Sequence, residues 1–143
     1  MVKSTSTTGA YNSAAIRGVP SLLIERGGQG IWNRADVDAY KNDVLNILKH
    51  LKVIEGELVA KQHTPVDVIN PIYLTANNGG CWYPCVNAGD QLIKGQKLGE
   101  VKDFFGNTLD TYFSQLTGVV LYLTTSLAVS KDDSLVAYAG FSL

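Results

Sequence analysis

A short apolar run ends in a carboxylate at Glu25, and a glycine-rich turn follows it directly. The run consists of Val19, Leu22, Leu23 and Ile24. Such a continuous run is typical of a strand buried in a parallel sheet. A buried strand needs a neighbour on each side to satisfy its backbone groups. Residues 1–55 contain this one strand between two helices, so we predict that they form only the edge of an α/β layer.

The position of Glu25 at the end of a predicted strand indicates a functional role. In open α/β sheets, ligands bind in the crevice at the carboxyl ends of the strands. A carboxylate at that point is placed as a general base would be in a hydrolase. The same pattern also fits a glutamate that caps a helix or pairs with Arg17 or Arg26. The residues alone leave both interpretations open.

Helical periodicity is clearest over residues 34–51, where Asn33 precedes the first turn as an N-cap. The apolar positions of this helix, which we predict to pack in a core, are Val37, Tyr40, Val44, Leu45, Ile47, Leu48 and Leu51. A shorter helix is predicted before the strand, with Thr7 or Thr8 as its N-cap and Ile16 near its end.

Beyond residue 55 the pattern changes to a polar linker and then to short β segments separated by glycine turns. The candidate strands are residues 68–76, 80–86, 97–102, 108–113, 118–124 and 135–139. Many short strands at this spacing indicate a barrel or sandwich. We therefore predict two domains, an α/β fragment at residues 1–55 and an all-β, barrel-sandwich-like domain at residues 56–143.

The run Ala-Ala-Ile-Arg-Gly-Val-Pro-Ser-Leu-Leu-Ile-Glu-Arg-Gly-Gly-Gln-Gly at residues 14–30 resembles the C-terminal part of the succinylglutamate desuccinylase and aspartoacylase family. The similarity extends from about Thr7 to the end of the chain. It implies a fold similar to zinc carboxypeptidases and hydrolysis of an amide bond in a small N-acyl amino acid. It also implies a zinc ion in the complete enzyme, held by a His-x-x-Glu pair and a later His. Glu25 matches the family's general base, which precedes a glycine pair.

The zinc ligands implied by this resemblance are missing from the sequence. The two histidines, His50 and His63, both follow Glu25, whereas the family's ligands precede it, and Val53 and Val66 stand where a paired glutamate would be. A hydrolytic zinc needs about three protein ligands. We therefore expect no metal site and no bound zinc in this chain alone, and we interpret His50 as a helix-end residue and His63 as an exposed loop residue.

Arg17 is the candidate for substrate binding. The family uses arginines to hold a substrate carboxylate, and Arg17 lies eight residues before Glu25. A guanidinium binds a carboxylate through two parallel hydrogen bonds. A solvated arginine at a helix end is the alternative interpretation.

A second resemblance concerns residues 86–101, which are similar to biotinyl and lipoyl carrier domains. A carrier presents one lysine at the tip of an exposed hairpin. Here the corresponding segment, residues 102–107, reads Lys-Asp-Phe-Phe-Gly-Asn, and its lysine still belongs to the preceding strand. A carrier domain and a non-catalytic interaction module therefore stay open as alternatives to the deacylase.

Charge and composition narrow the expected partners. The net charge of −1 and a pI near 6.1 argue against nucleic acid binding. No apolar run approaches the roughly 20 residues that span a bilayer, so we expect no membrane partner and a cytoplasmic location. We predict the C-terminal portion of a zinc-dependent deacylase with a small-molecule substrate, inactive alone. A homo-oligomer stays open.

Overall fold

The computed structural model describes residues 8–59 and 66–142. These residues fall into two compact units, which we call the helical unit (residues 8–59) and the β unit (residues 66–142).

The helical unit contains two helices, α1 (Ala10–Ala15) and α2 (Arg34–His50). The predicted N-cap of α2 is confirmed, because the side chain of Asn33 accepts a hydrogen bond of 2.9 Å from the backbone N–H of Asp36. This bond satisfies one of the free N–H groups of the first turn. At α1 the structure differs from the prediction. Gly9 occupies the N-cap position with no side-chain cap, and Thr7 lies outside the described residues.

The predicted strand over Val19 to Glu25 is not formed. Residues 19–27 have no regular secondary structure, and one isolated bridge between Gly28 and Ile31 follows them. The reason is that a strand exists only when a neighbour pairs with its backbone, and the helical unit as described has no second strand. Most of its apolar side chains remain in solvent, with Leu22 exposed by 59% and Leu23 by 57%, whereas Ile24 is half-buried.

The apolar stripe of α2 was also predicted to be core, and this prediction is wrong for its exposed members. Val44 is exposed by 51% and Leu51 by 63%, whereas Asp43 is the buried residue of this helix. An apolar helix face becomes buried only when a second layer packs on it. Within the described part of the helical unit, no sheet covers this face.

The β unit contains eight strands. They are β1 (Val68–Thr75), β2 (Gly80–Pro84), β3 (Gln91–Leu92), β4 (Lys97–Lys102), β5 (Thr108–Phe113), β6 (Gly118–Leu123), β7 (Ala128–Val129) and β8 (Ser134–Phe141). They form two antiparallel four-stranded sheets, in the orders β1-β8-β6-β3 and β5-β4-β2-β7. All six predicted strands are present, so the β-rich character predicted for this region is confirmed.

The core of the β unit lies between the two sheets. Leu98 and Val101 on β4 and Tyr138 on β8 have no exposed surface, and Trp82 on β2 is exposed by only 2%. The ring of Trp82 meets that of Tyr112 edge to face, with 5.8 Å between the ring centroids. Burial of these large side chains is the main stabilising contribution in a unit of this kind.

Three charged residues of strand β4 form an ion-pair network. The carboxylate of Glu100 accepts hydrogen bonds from Lys102 at 2.8 Å and from Lys97 at 2.6 Å. These two ammonium groups lower the pKa of Glu100, and Lys102 has the larger effect. The pKa of Lys102 is raised in turn by Glu100. The network therefore holds Lys102 in its charged form, on the strand and against a carboxylate.

Candidate functional site

Glu25 lies in the segment that joins α1 to α2, and its side chain is exposed. Among the described residues, no group forms a hydrogen bond or an ion pair with its carboxylate. Both oxygens are therefore able to accept a proton or a hydrogen bond from a ligand. The alternative in which Glu25 caps a helix or pairs with Arg17 or Arg26 has no support from these contacts.

The residues on both sides of Glu25 are attached to α2. The hydroxyl of Tyr40 donates a hydrogen bond of 3.2 Å to the backbone carbonyl of Ile24. The guanidinium of Arg26 donates to the buried carboxylate of Asp43 and lies 5.8 Å from the centroid of the Tyr40 ring. The bond to Asp43 raises the pKa of Arg26. These contacts fix the backbone at Glu25 and leave its carboxylate free.

Arg26 and Asp43 were not predicted as an anchor of this segment. The available signal was an acidic residue beside apolar positions of a helix, since Asp43 stands between Tyr40 and Val44 in α2. A buried carboxylate requires a charged or hydrogen-bonded partner. Arg26 satisfies that requirement, so its guanidinium binds Asp43 and not Glu25.

The turn after Glu25 depends on its glycines. Gly27 and Gly30 have positive φ values of 70° and 66°. At Gly27 a Cβ would also lie 2.9 Å from the Asp36 carboxylate. Beside this turn lies an open pocket of about 220 Å³, lined among others by Arg26, Trp32 and Tyr40, and Glu25 is not part of its wall. The turn therefore lets the chain reverse beneath Glu25 and enter α2.

Arg17 follows the end of α1 and is exposed. Its Nη1 donates a hydrogen bond of 3.0 Å to the backbone carbonyl of Ser13. A guanidinium carries five N–H donors, so one such bond leaves others for a ligand. No contact joins Arg17 to Glu25, and the structure does not bring these two predicted site residues together.

The residues present do not fit a zinc site. No group of three or more His, Cys, Asp or Glu side chains in the described ranges is placed to hold a metal ion. His50 lies exposed in the last turn of α2, as predicted, and His63 is outside the described residues. A hydrolytic zinc with about three protein ligands therefore cannot be built from the described side chains.

The hairpin tip at residues 103–107 lacks the lysine of a carrier domain. Phe104 and Phe105 occupy the tip, exposed by 86% and 92%. Asp103 closes the turn by accepting hydrogen bonds of 2.8 Å from the backbone N–H groups of Phe105 and Asn107. Lys102 is paired with Glu100 on the strand. The tip presents two aromatic rings where carrier chemistry needs a free amine.

Comparison with models of protein families finds no match for this sequence, and comparison with curated proteins also finds none. Comparison with solved structures does find similar folds. One is a succinylglutamate desuccinylase/aspartoacylase from Rhodobacter sphaeroides, with a TM-score of 0.76 and 25% sequence identity, covering 91% of this chain and 42% of that protein.

Two further structures are similar. The product-bound ectoine utilization protein EutE (DoeB) from Ruegeria pomeroyi matches with a TM-score of 0.82 at 18% identity, over 92% of this chain and 42% of its own. A succinylglutamate desuccinylase from Silicibacter sp. TM1040 matches with a TM-score of 0.80 at 17% identity, over 92% of this chain and 41% of its own.

The family resemblance inferred from the sequence is thus confirmed: the chain is structurally similar to succinylglutamate desuccinylase/aspartoacylase proteins. It spans about two fifths of their length, with shares of 42% and 41%.

In the part of the chain that the structure describes, no helix is both long enough and apolar enough to cross a membrane.

Proposed function

We propose that this chain, whose fold is that of part of the succinylglutamate desuccinylase/aspartoacylase family, is the C-terminal portion of a zinc-dependent deacylase. The proposed substrates are small N-acyl amino acids or related amides, and the proposed location is the cytoplasm. The single observation that supports a catalytic role is the carboxylate of Glu25. It is unpaired among the described residues, and it stands between two residues that are fixed to α2.

In this proposal Glu25 acts as the general base. Its carboxylate accepts a proton from the attacking water and later passes that proton to the leaving amine. In enzymes with this chemistry a zinc ion supplies Lewis acidity. The described residues of this chain cannot hold that ion, so we assign to the chain only the proton transfers at Glu25. The metal ligands would belong to polypeptide other than these residues.

The other two parts of the proposal concern Arg17 and the β unit. Arg17 is proposed to bind the carboxylate of the substrate through the guanidinium N–H groups that its bond to Ser13 leaves free. The β unit is assigned no carrier chemistry, because its hairpin tip carries the exposed Phe104 and Phe105 and the ammonium group of Lys102 is paired with Glu100.

The proposal predicts that the chain alone is inactive and free of metal. After incubation with zinc and removal of the excess, we expect substoichiometric zinc by elemental analysis and no hydrolysis of N-acyl amino acids above the buffer rate. The intact enzyme, assayed in parallel, is expected to contain zinc and to hydrolyse one of these amides. Hydrolysis by the chain alone, or an intact protein with no amidase activity, would contradict the proposal.

A separate prediction tests Arg17. In the intact enzyme, Arg17→Ala is expected to raise KM by roughly 10 to 100-fold, the effect of losing one charge-assisted hydrogen bond to the substrate. The matched control is Arg34→Ala, because Arg34 is also exposed and makes a surface pair with Asp38. Steady-state kinetics of both variants gives the comparison, and an unchanged KM in Arg17→Ala would remove this residue from the site.

A further inference from the structure

We propose that Asn78 is a site of spontaneous deamidation, and that its conversion to aspartate or isoaspartate weakens the β unit. This inference is independent of the proposed deacylase function. It rests on the sequence at Asn78, on the exposure of its loop, and on the contact between its side chain and strand β5.

The sequence places a glycine directly after Asn78, and no other asparagine in the chain precedes a glycine. The side-chain amide carbon of an asparagine can be attacked by the backbone nitrogen of the following residue. A side chain on that residue hinders the approach, whereas glycine has no Cβ. Asn78 and Gly79 are both exposed, in the loop between β1 and β2.

The reaction balances with water as its only co-reactant. The deprotonated backbone nitrogen of Gly79 forms a bond to Cγ of Asn78, and the side-chain amide nitrogen leaves as ammonia. The result is a five-membered succinimide ring. Water then opens the ring at one of its two carbonyl carbons. One opening gives aspartate at position 78, and the other gives isoaspartate, in which the main chain runs through the former side chain.

The hydrogen bond of the Asn78 side chain explains why deamidation should destabilise the β unit. The Nδ2 group of Asn78 donates a hydrogen bond of 2.7 Å to the carboxylate of Asp110 on strand β5. In the product, a second carboxylate replaces this donor, so the bond is lost and two like charges face each other. Isoaspartate also lengthens the backbone next to Asn77, whose N–H donates a bond of 3.0 Å to the hydroxyl of Tyr112.

The structure offers a variant that should slow the reaction with little effect on packing. At Gly79 φ is not positive, and an added Cβ would lie 3.4 Å from the backbone carbonyl of Val129, an ordinary contact. Gly79→Ala should therefore fold normally. Its methyl group should slow closure of the ring by roughly tenfold or more, which is a barrier higher by at least about 1.4 kcal/mol. Asn77, which precedes Asn78 rather than glycine, is an internal control.

The test is to incubate the chain in mildly alkaline buffer and to follow residues 75–83 by peptide mapping and mass spectrometry. A synthetic peptide of the same residues is incubated in parallel. We expect the peptide to gain the mass that corresponds to replacement of NH by O at Asn78, and part of the product to be isoaspartate. We expect no mass change at Asn77. We also expect a lower rate in Gly79→Ala and a higher rate at higher pH. Conversion of the peptide without conversion of the folded chain, or equal rates in the variant, would overturn the proposal.

The structural consequence has its own measurement. Asn78→Asp should lower the unfolding midpoint of the β unit, because it reproduces the charge of the product beside Asp110. In the double variant Asn78→Asp, Asp110→Asn the donor and acceptor are exchanged, so the bond of 2.7 Å can form again. The midpoint should then recover most of the loss. An Asn78→Asp chain as stable as the parent would refute the claim that deamidation weakens the unit.

Discussion

Replacing Gly118 with alanine is expected to lower the free energy of unfolding of the β unit by about 3 kcal/mol or more. Gly118 is buried at the start of β6. A Cβ at this position would lie 1.9 Å from the backbone carbonyl oxygen of Ala139 and 2.9 Å from Cα of Gly140. Both are main-chain atoms of β8, the strand that lies between β1 and β6. No rotation of a side chain can relieve that overlap, so strands must separate.

The matched control for this variant is Gly140→Ala on the neighbouring strand. Gly140 also has no positive φ, and the atoms nearest to its added Cβ are 3.7 Å away. Its substitution should therefore change the free energy of unfolding little. Urea unfolding followed by the fluorescence of the buried Trp82 compares the two variants. Equal stabilities of Gly118→Ala and Gly140→Ala would contradict the close pairing of β6 with β8.

The strands of the β unit were predictable because their signals are local. Turn residues bound each apolar segment, and β4 and β5 begin and end at the predicted residues, Lys97–Lys102 and Thr108–Phe113. The strands β3 (Gln91–Leu92) and β7 (Ala128–Val129) were missed. A strand of two residues has no alternation to detect, and its existence depends on the neighbour that pairs with it, here β6 for β3 and β2 for β7.

In the helical unit, by contrast, several features depend on structure beyond the local sequence. The helix α2 was predictable because Asn33 caps it and its apolar residues recur at helical spacing. Two other predictions for this unit, a strand before Glu25 and a buried apolar stripe on α2, were wrong. Both depend on a second layer of structure, and local sequence carries no information on whether that layer is present. The pairing of Arg26 with Asp43 was missed for the same reason, because it joins residues 17 positions apart.

The sequence identified Glu25 as the candidate site residue, whereas the contacts around Glu25 could be seen only in the structure. Glu25 was selected because a carboxylate follows an apolar run and precedes Gly27 and Gly28. Its freedom from ion pairs among the described residues, and the attachment of both its neighbours to α2, are visible only in three dimensions. The expectation that this chain alone holds no zinc came from the sequence, which has two histidines, both after Glu25.

The largest functional effect is expected from Glu25→Gln in the complete deacylase that we propose, where it should lower kcat by roughly 10² to 10⁴-fold, the usual contribution of a general base. Glutamine has the size of glutamate and can still form hydrogen bonds, but its amide cannot accept the proton of the attacking water. Because substrate binding does not depend on that proton, KM should change much less than kcat. The fold should be retained, since no described residue bonds to the Glu25 carboxylate.

Glu55→Gln provides the control for loss of a surface charge, because Glu55 is an exposed glutamate of the same unit. The decisive measurement is therefore the turnover number of the intact enzyme and of these two variants on the same N-acyl amino acid. We expect a loss of at least about 10² in kcat for Glu25→Gln and near-normal turnover for Glu55→Gln. Near-normal turnover in Glu25→Gln would contradict the assignment of Glu25 as the general base.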